Sequence, residues 1–185
     1  LAVFVCMSRP SVVAWWPAMD EWRGAVVLSA SAWGPLGQGY RHRLKADPLS
    51  AAKAQKVSEL CTDLGAFLLK QDLEKLKVRQ DPGKVAFHCP CTLQHAMKQN
   101  GVVEQVLTRA GVNLAATKDK HLCCGSAGTY SVTQPEMSQK LLGNKLKALT
   151  VDNPDRIVTA NIGCQMPLET KSPVPVQHWI ELLDQ

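Results

Sequence analysis

Residues 84–91 read KVAFHCPC, a short apolar run that ends in Cys89 and Cys91. The triplet before it, DPG at 81–83, predicts a turn. A continuous apolar run of this length after a turn is typical of a strand that is covered on both faces. Strands of that kind belong to parallel sheets flanked by helices. The stretch therefore predicts an α/β fold that delivers cysteines at the carboxyl end of a strand.

The rest of the second half repeats this alternation. Residues 157–160, IVTA, predict another buried strand, which ends just before Cys164. Thr133 and Glu136 form a capping-box pattern before a helix, and Gly111 is a typical helix C-cap. The expected elements are helices over 102–110, 135–149 and 175–183, a short strand over 112–116 and a loop over 121–128. This order predicts a mostly parallel sheet flanked by helices, with the cysteines on loops at one sheet edge.

The first half is less regular. We expect a short strand over 25–29 and no helix in the glycine-rich residues 34–39. Apolar residues at helical spacing predict a helix over 47–70, and a second helical piece is expected over 73–78.

One internal sequence repeat predicts the domain organisation. Residues 26–33, VVLSASAW, parallel 157–164, IVTANIGC, with Trp33 in the place of Cys164. A repeated strand and turn of this kind indicates a duplicated unit. The predicted parts are the tail of a first, degenerate cysteine-rich repeat over 1–45, a helical connector over 46–83 and a cysteine-rich domain over 84–185.

Composition excludes several classes of protein. The chain has 185 residues, 45% of them apolar and 20% charged, so it can bury a core and is not a disordered tail. No run approaches the ~18 apolar residues of a membrane span, and no basic segment precedes the apolar start as in a secretory signal. The net charge of +5 is scattered, without a basic stripe, so no nucleic-acid partner is expected. We expect a cytoplasmic protein, and a peripheral contact with an anionic membrane face stays open.

Cysteine is the unusual residue type. There are seven, an odd number, and five of them follow predicted strands or lie in the predicted loop of the second half. In an α/β sheet, the carboxyl ends of strands meet at one edge, so three separate loops can bring thiolates together. Soft thiolate ligands select iron–sulfur clusters, zinc or copper(I). The adjacent pair Cys123-Cys124 suits a multi-iron cluster better than one tetrahedral zinc ion, because neighbouring side chains diverge.

The residues alone leave alternatives open. The predicted cofactor and metal ligands are Cys91, Cys123, Cys124 and Cys164, with Cys89 as a possible fifth. Zinc held by cysteine and histidine is the second reading, and the nearby histidines are His88, His95 and His121. Each of these is interpreted first as a hydrogen-bonding or surface residue. A catalytic thiol with a histidine base is the third reading, and Cys6 and Cys61 are interpreted as buried apolar residues.

Spacing and motifs together resemble a known family. Cys91 is followed by 31 residues, then Cys123-Cys124-Gly125, then 38 residues before Cys164. This pattern resembles the cysteine-rich CCG domain of heterodisulfide reductases and of iron–sulfur subunits of flavin-linked dehydrogenases. The segments look most like the iron–sulfur subunits of glycolate oxidases: HCPCTLQH at 88–95, LCCGSAGTY at 122–130, ANIGCQ at 160–165 and PVQHWIEL at 175–182.

The resemblance, which extends over about residues 14–185, implies a function. It implies a non-catalytic electron-transfer subunit with an iron–sulfur cluster of the [4Fe–4S] type, cubane or non-cubane. A flavin-containing partner subunit would oxidise glycolate to glyoxylate, and electrons would pass toward the membrane quinone pool. Lactate and glycerol-3-phosphate systems, and a structural zinc or partner-docking module, are the alternatives. Two residues depart from the family pattern: Trp33 stands where a first repeat has cysteine, and Pro167 replaces the second cysteine of the closing Cys-x-x-Cys.

Overall fold

A computed structural model describes residues 2–20, 24–73 and 81–183. The helices in these ranges are α1 (Ala2–Asp20), α2 (Gly34–Gln38), α3 (Tyr40–Arg43), α4 (Ala51–Leu60), α5 (Leu64–Leu68), α6 (Val102–Arg109), α7 (Tyr130–Thr133), α8 (Pro135–Leu149) and α9 (Ile162–Lys171). The strands are β1 (Val26–Leu28), β2 (Cys61–Asp63), β3 (Val85–His88), β4 (Arg156–Thr159) and β5 (Val176–His178). Short 3₁₀ turns cover Ser31–Trp33 and Trp179–Leu183, and a π-helical turn covers Thr92–Ala96.

The larger sheet has three parallel strands in the order β3-β4-β5. Val85 is paired with Arg156, and Ile157 with Val176. All four residues of β3 are buried, because helices cover both faces of the sheet. The predicted α/β fold with parallel strands is confirmed.

Side chains of β3 alternate between two cores, as the period of a strand requires. Val85, Phe87 and the following Cys89 belong to one core, together with residues of α6 and Trp179. Ala86 belongs to the other core, with residues of α8, Cys124 and Cys164. The two cores therefore lie on opposite faces of one sheet.

A second, smaller sheet pairs β1 with β2 in parallel. The predicted helix over 47–70 is wrong in its middle: α4 ends at Leu60, Cys61–Asp63 is extended, and α5 begins at Leu64. Pairing with β1 satisfies the backbone groups of this extended segment, which outweighs the helical spacing of its apolar neighbours. The predicted absence of helix in the glycine-rich segment is also wrong, because Pro35 lies in the first turn of α2, where proline favours helix.

Three further predictions differ from the structure. The end of the chain forms β5 and a 3₁₀ turn instead of a helix, because β5 completes the sheet beside β4. The expected strand over 112–116 is a single bridge between Val85 and Leu114. The capping box does not form: Gln134 is the N-cap of α8, and the Thr133 hydroxyl donates back to α7 carbonyls. Most of the expected helical piece over 73–78 lies outside the described residues.

The two sheets touch beside the carboxyl end of β4. The Ser31 amide donates to the Ala160 carbonyl at 3.0 Å, and the Ser31 and Thr92 hydroxyls share a hydrogen bond of 2.7 Å. The His178 ring lies 3.2 Å from the Ser29 carbonyl oxygen. No helix formed by the described residues has the length and hydrophobicity needed to cross a bilayer.

Candidate metal centre

Three segments place chemistry-bearing side chains at the carboxyl edge of the larger sheet. β3 ends at His88, the loop before α7 carries Cys123 and Cys124, and Cys164 lies in the first turn of α9. The Asn161 side chain caps α9 by accepting from the Gly163 amide at 3.0 Å. This cap fixes the helix start and with it the position of Cys164.

His88, Cys124 and Cys164 form one buried group. Their ligand atoms all lie within 4.8 Å of one another. The exposed fractions of these residues are 1%, 2% and 5%. Two soft sulfur donors and one imidazole at this separation are a set that iron, zinc or copper can bind.

The two buried thiols are coupled. A hydrogen bond from the Cys164 thiol lowers the pKa of Cys124 to about 4, and the His88 ring adds to this effect although burial opposes it. The same interaction raises the pKa of Cys164, which therefore holds the proton. A thiolate is the form that binds metal, and the lowered pKa of Cys124 favours that form.

The ring of His88 is the strongest indication that a metal ion or cluster binds between these side chains. Both ring nitrogens are buried and lack a hydrogen-bond partner of normal geometry among the described residues. Burial lowers the pKa of His88 and so favours the neutral ring, although the neighbouring Cys124 sulfur opposes this effect. An unpaired buried polar group costs about 1–3 kcal/mol, which a metal ion or cluster at this place would offset. The residues present therefore fit a metal centre.

Cys123 and Cys91 border this group but lie outside the 4.8 Å set. Burial raises the pKa of Cys123, the Gly125 amide donates to its sulfur at 3.3 Å, and repulsion from Cys124 and Cys91 raises the pKa further. Cys91 is exposed and directly precedes the π-helical turn. Cys123 and Cys91 thus continue the row of cysteine side chains from the buried group toward the surface.

The Cys-Cys-Gly loop is held by a close approach to α8. Gly125 has a φ of +86°, and a Cβ there would lie 2.4 Å from the Ser138 carbonyl oxygen. The Ser138 hydroxyl donates to the Gly125 carbonyl at 2.9 Å. Only glycine combines this backbone conformation with this contact, which fixes the direction of Cys123 and Cys124.

Other candidate residues are not brought to the group. Cys89 lies in the opposite core, its sulfur lies 4.0 Å from the Pro90 carbonyl oxygen, and burial raises its pKa to about 12. The predicted fifth ligand is not supported by this arrangement, because strand alternation turns Cys89 away from His88. His95 and His121 are exposed, and Cys61 is buried in the core beside α4.

His88 itself was underestimated from the sequence. A histidine beside cysteines is usually a hydrogen-bonding residue, and no single-residue signal separates the two cases. The usable signal was the two-residue period of β3, which places His88 on the face opposite Cys89.

Comparison with known proteins agrees with the geometry. Residues 85–169 match the family model of the cysteine-rich domain called CCG. This segment is a CCG domain. The match contains β3, the Cys-Cys-Gly loop, β4 and most of α9, so it includes every residue of the candidate centre.

Longer similarities extend beyond the CCG domain. The chain is 49% identical over 178 residues to the glycolate oxidase iron-sulfur subunit of Escherichia coli (strain K12), which covers 96% of this chain and 44% of that protein. It is 29% identical over 147 residues to the probable glycolate oxidase iron-sulfur subunit of Bacillus subtilis (strain 168), covering 78% and 33%. Lactate utilization protein A of Anoxybacillus flavithermus is 26% identical over 169 residues, covering 86% and 69%. The predicted resemblance to glycolate oxidase iron–sulfur subunits is confirmed, and the chain spans less than half of the two it matches.

Proposed function

We propose that the CCG domain binds an iron–sulfur cluster and that the chain is an electron-transfer part of a glycolate oxidase. The observation that carries this proposal is the buried group of His88, Cys124 and Cys164, with its unpaired imidazole. When bound, an iron–sulfur cluster accepts and donates single electrons, at a potential that its ligands and surroundings set.

The proposed ligands are Cys91, Cys123, Cys124 and Cys164, in a cluster of the [4Fe–4S] type. Cys124 and Cys164 supply the buried side of the site, whereas Cys123 and Cys91 supply the side nearer the surface. The Gly125 amide donates to the Cys123 sulfur, which is the kind of hydrogen bond that tunes a cluster. The apolar core around Cys124 and Cys164 keeps water away from their sulfurs.

The proposed partners follow from the relatives. Since the chain is similar to glycolate oxidase iron-sulfur subunits, a separate flavin-containing subunit would oxidise glycolate to glyoxylate and deliver the electrons. The electrons would pass on to the quinone pool, with the chain in the cytoplasm and peripheral at the membrane. The sequence identity of 49% to a glycolate oxidase subunit, against 26% to a lactate utilization protein, favours glycolate over lactate.

Metal and sulfide analysis tests the cluster directly. We expect iron and acid-labile sulfide, with little zinc, in anaerobically purified protein, and an electron paramagnetic resonance signal that changes with dithionite. Cys124→Ser and Cys164→Ser should lose both iron and signal. Cys61→Ser is the matched control, because Cys61 is also buried but lies in a separate core. A wild-type protein without iron, or cysteine variants that keep it, would contradict the proposal.

A structural zinc site is the second candidate. The mixed set of one imidazole and two sulfurs in the buried group favours it, because structural zinc sites often combine cysteine and histidine. Stoichiometric zinc without sulfide, together with a large loss of thermal stability on chelation, would establish a structural or partner-docking module instead of a redox subunit.

The electron donor is tested with the partner. A glycolate-oxidising flavin subunit, mixed anaerobically with this chain and glycolate, should reduce the centre, whereas the same mixture with lactate should reduce it more slowly. Equal rates with both acids would remove the preference for glycolate.

A further inference from the structure

A lysine is buried beside the candidate centre. Lys145, on α8, is 1% exposed and is among the largest fully buried side chains of the described residues. Lysine is rarely buried in this way unless its charge is paired, because removing an ammonium group from water is costly. Its surroundings should therefore contain a negative charge.

No carboxylate forms an ion pair with Lys145 among the described residues. Its ammonium donates instead to the backbone carbonyls of Lys120 at 3.0 Å and Asp119 at 3.4 Å. These neutral acceptors hold the group in place, but they do not neutralise its charge.

Electrostatic interactions connect this ammonium with cysteines on both faces of the larger sheet. Burial lowers the pKa of Lys145, and the attraction of Cys89, Cys124 and Cys164 opposes that effect, followed by Asp119. Of these thiols, Cys124 and Cys164 belong to the buried group of the candidate centre. The Lys120 carbonyl that holds the ammonium is three residues before Cys123, so the positive charge lies on the side where thiolate ligands would be.

A polar network fixes the cation relative to the ligand loops. The Lys120 carbonyl accepts from Lys145 and also from the side-chain amide of Gln94 (Nε2), at 2.8 Å. The same Nε2 donates to the Cys89 carbonyl at 2.7 Å. Hydrogen bonds therefore link the ammonium, the segment before the Cys-Cys-Gly loop and the end of β3.

We infer that Lys145 is the fixed counter-charge of the metal centre and that its ammonium favours the reduced form. The inference rests on the proposed function, because it needs a thiolate-ligated centre. One-electron reduction adds one negative charge to the centre, and a permanent positive charge in a buried site stabilises it without any proton transfer. Lys145 thus raises the reduction potential of the centre through its charge, without binding the metal itself.

Potentiometry on the full chain, loaded with iron and sulfide, tests this. Dithionite supplies the electron, and the midpoint potential is read from the electron paramagnetic resonance signal. We expect Lys145→Gln to lower the reduction equilibrium constant about tenfold, which for one electron corresponds to about 59 mV. Glutamine removes the charge and keeps a polar N–H donor, on a side chain one bond shorter. Lys145→Arg should stay close to wild type.

Lys147 provides the matched control. It lies two residues further along α8 and is exposed, so Lys147→Gln removes the same charge where water screens it and should leave the potential unchanged. An unshifted potential in Lys145→Gln, or equal shifts in Lys145→Gln and Lys145→Arg, would overturn the inference. A wild-type chain that binds no cluster would instead refute the proposed function.

Folding is checked on the metal-free variants by thermal unfolding. Lys145→Met is the second neutral variant should Lys145→Gln not fold. If both neutral variants fail to fold without metal while the arginine variant folds, the charge serves the fold and the inference is overturned.

Discussion

A substitution of the single residue His88 can distinguish a metal centre from an ordinary apolar core. We expect His88→Leu to weaken metal binding about 10- to 100-fold, the range found when a residue that contacts a ligand set is lost. The same change should leave the stability of the metal-free chain unchanged or higher, because it removes two unpaired buried nitrogens. Competition with a chelator measures the first effect and urea unfolding the second.

His95→Leu is the control for that prediction, because His95 is exposed and lies outside the group. Metal affinity should be the same as in wild type. If His88→Leu binds metal as tightly as His95→Leu does, the imidazole does not face the centre.

The sequence predicted the edge of the sheet that carries the candidate sulfur ligands better than it predicted their surroundings. The three cysteine groups could be assigned to one sheet edge because parallel strands end together. Lys145 could not be found in this way, since one charged residue in an amphipathic helix is normally read as exposed. Its burial depends on the distant loop at 119–120, whose carbonyls receive its hydrogen bonds.

At the element scale, the contact between the Cys-Cys-Gly loop and α8 should be intolerant of any side chain. Gly125→Ala places a Cβ 2.4 Å from the Ser138 carbonyl oxygen at a φ of +86°. We expect a loss of more than about 2 kcal/mol in the free energy of unfolding, together with loss of metal, because backbone strain and a backbone clash combine. Urea unfolding and metal content measure these effects.

Gly128→Ala is the matched variant in the same loop. Gly128 has a φ of +63°, but nothing lies within 4 Å of a Cβ there. We expect only the conformational cost of about 1 kcal/mol and full metal content. Equal losses in the two variants would show that φ alone, and not the contact with α8, makes glycine necessary.

The turn from β2 into α5 predicts a pH effect on stability. Burial raises the pKa of Asp63 above 3.8, although amide donors such as Gly65 and the charge of His178 partly oppose this. An acid whose pKa is higher in the folded state destabilises the fold once it is ionised. Its cost is absent below pH 3.8, grows as the pH rises through the raised pKa and is constant above it.

Asp63→Asn removes this titration and keeps an oxygen that can accept from the Gly65 amide, as Asp63 does at 2.8 Å. We expect the variant to be more stable than wild type near pH 7, by about 1.4 kcal/mol for each unit by which the pKa is raised. The difference should vanish toward pH 3.8. Urea unfolding at several pH values measures it, and a pH-independent difference would contradict the explanation.

Elements were predicted well where one local rule dominated. β3 and β4 are apolar runs between turns, and α6 and α8 have a clear helical period. β2 was missed because its backbone partner, β1, is about 35 positions earlier in the chain. The last residues were read as a helix because the spacing of Val176, Trp179, Ile180 and Leu183 suits one, but the open edge of β4 binds Val176–His178 as a strand. Local spacing cannot show such distant pairing.

At the scale of the whole molecule, the contact between the two sheets should carry measurable energy. The Ser31 and Thr92 hydroxyls share a hydrogen bond of 2.7 Å, and Ser31 is fully buried. Ser31→Ala should lower the free energy of unfolding by about 1 kcal/mol, because the Thr92 hydroxyl loses its partner. Thr92→Val added to Ser31→Ala should cost less than Thr92→Val alone.

A double-mutant cycle on these two residues, measured by urea unfolding, gives the coupling energy. A value of zero would mean that the hydroxyls do not interact in solution. The contact itself was not predictable, since nothing in the spacing of 31 and 92 indicates that they meet. The α/β architecture was predictable, because it follows from the order of strands and helices.

The pairing of β3 with β4 also determines how late in synthesis the candidate metal centre can form. Val85 is paired with Arg156, and the third group of candidate ligands, Cys164, follows β4. Contacts between residues so far apart form late in folding. While the ribosome is still synthesising the chain, Cys91, Cys123 and Cys124 are present, but the strand that gathers them is missing. The candidate metal centre can therefore be assembled only after nearly the whole segment has emerged, and until then three thiols depend on a reducing environment or on a carrier for protection.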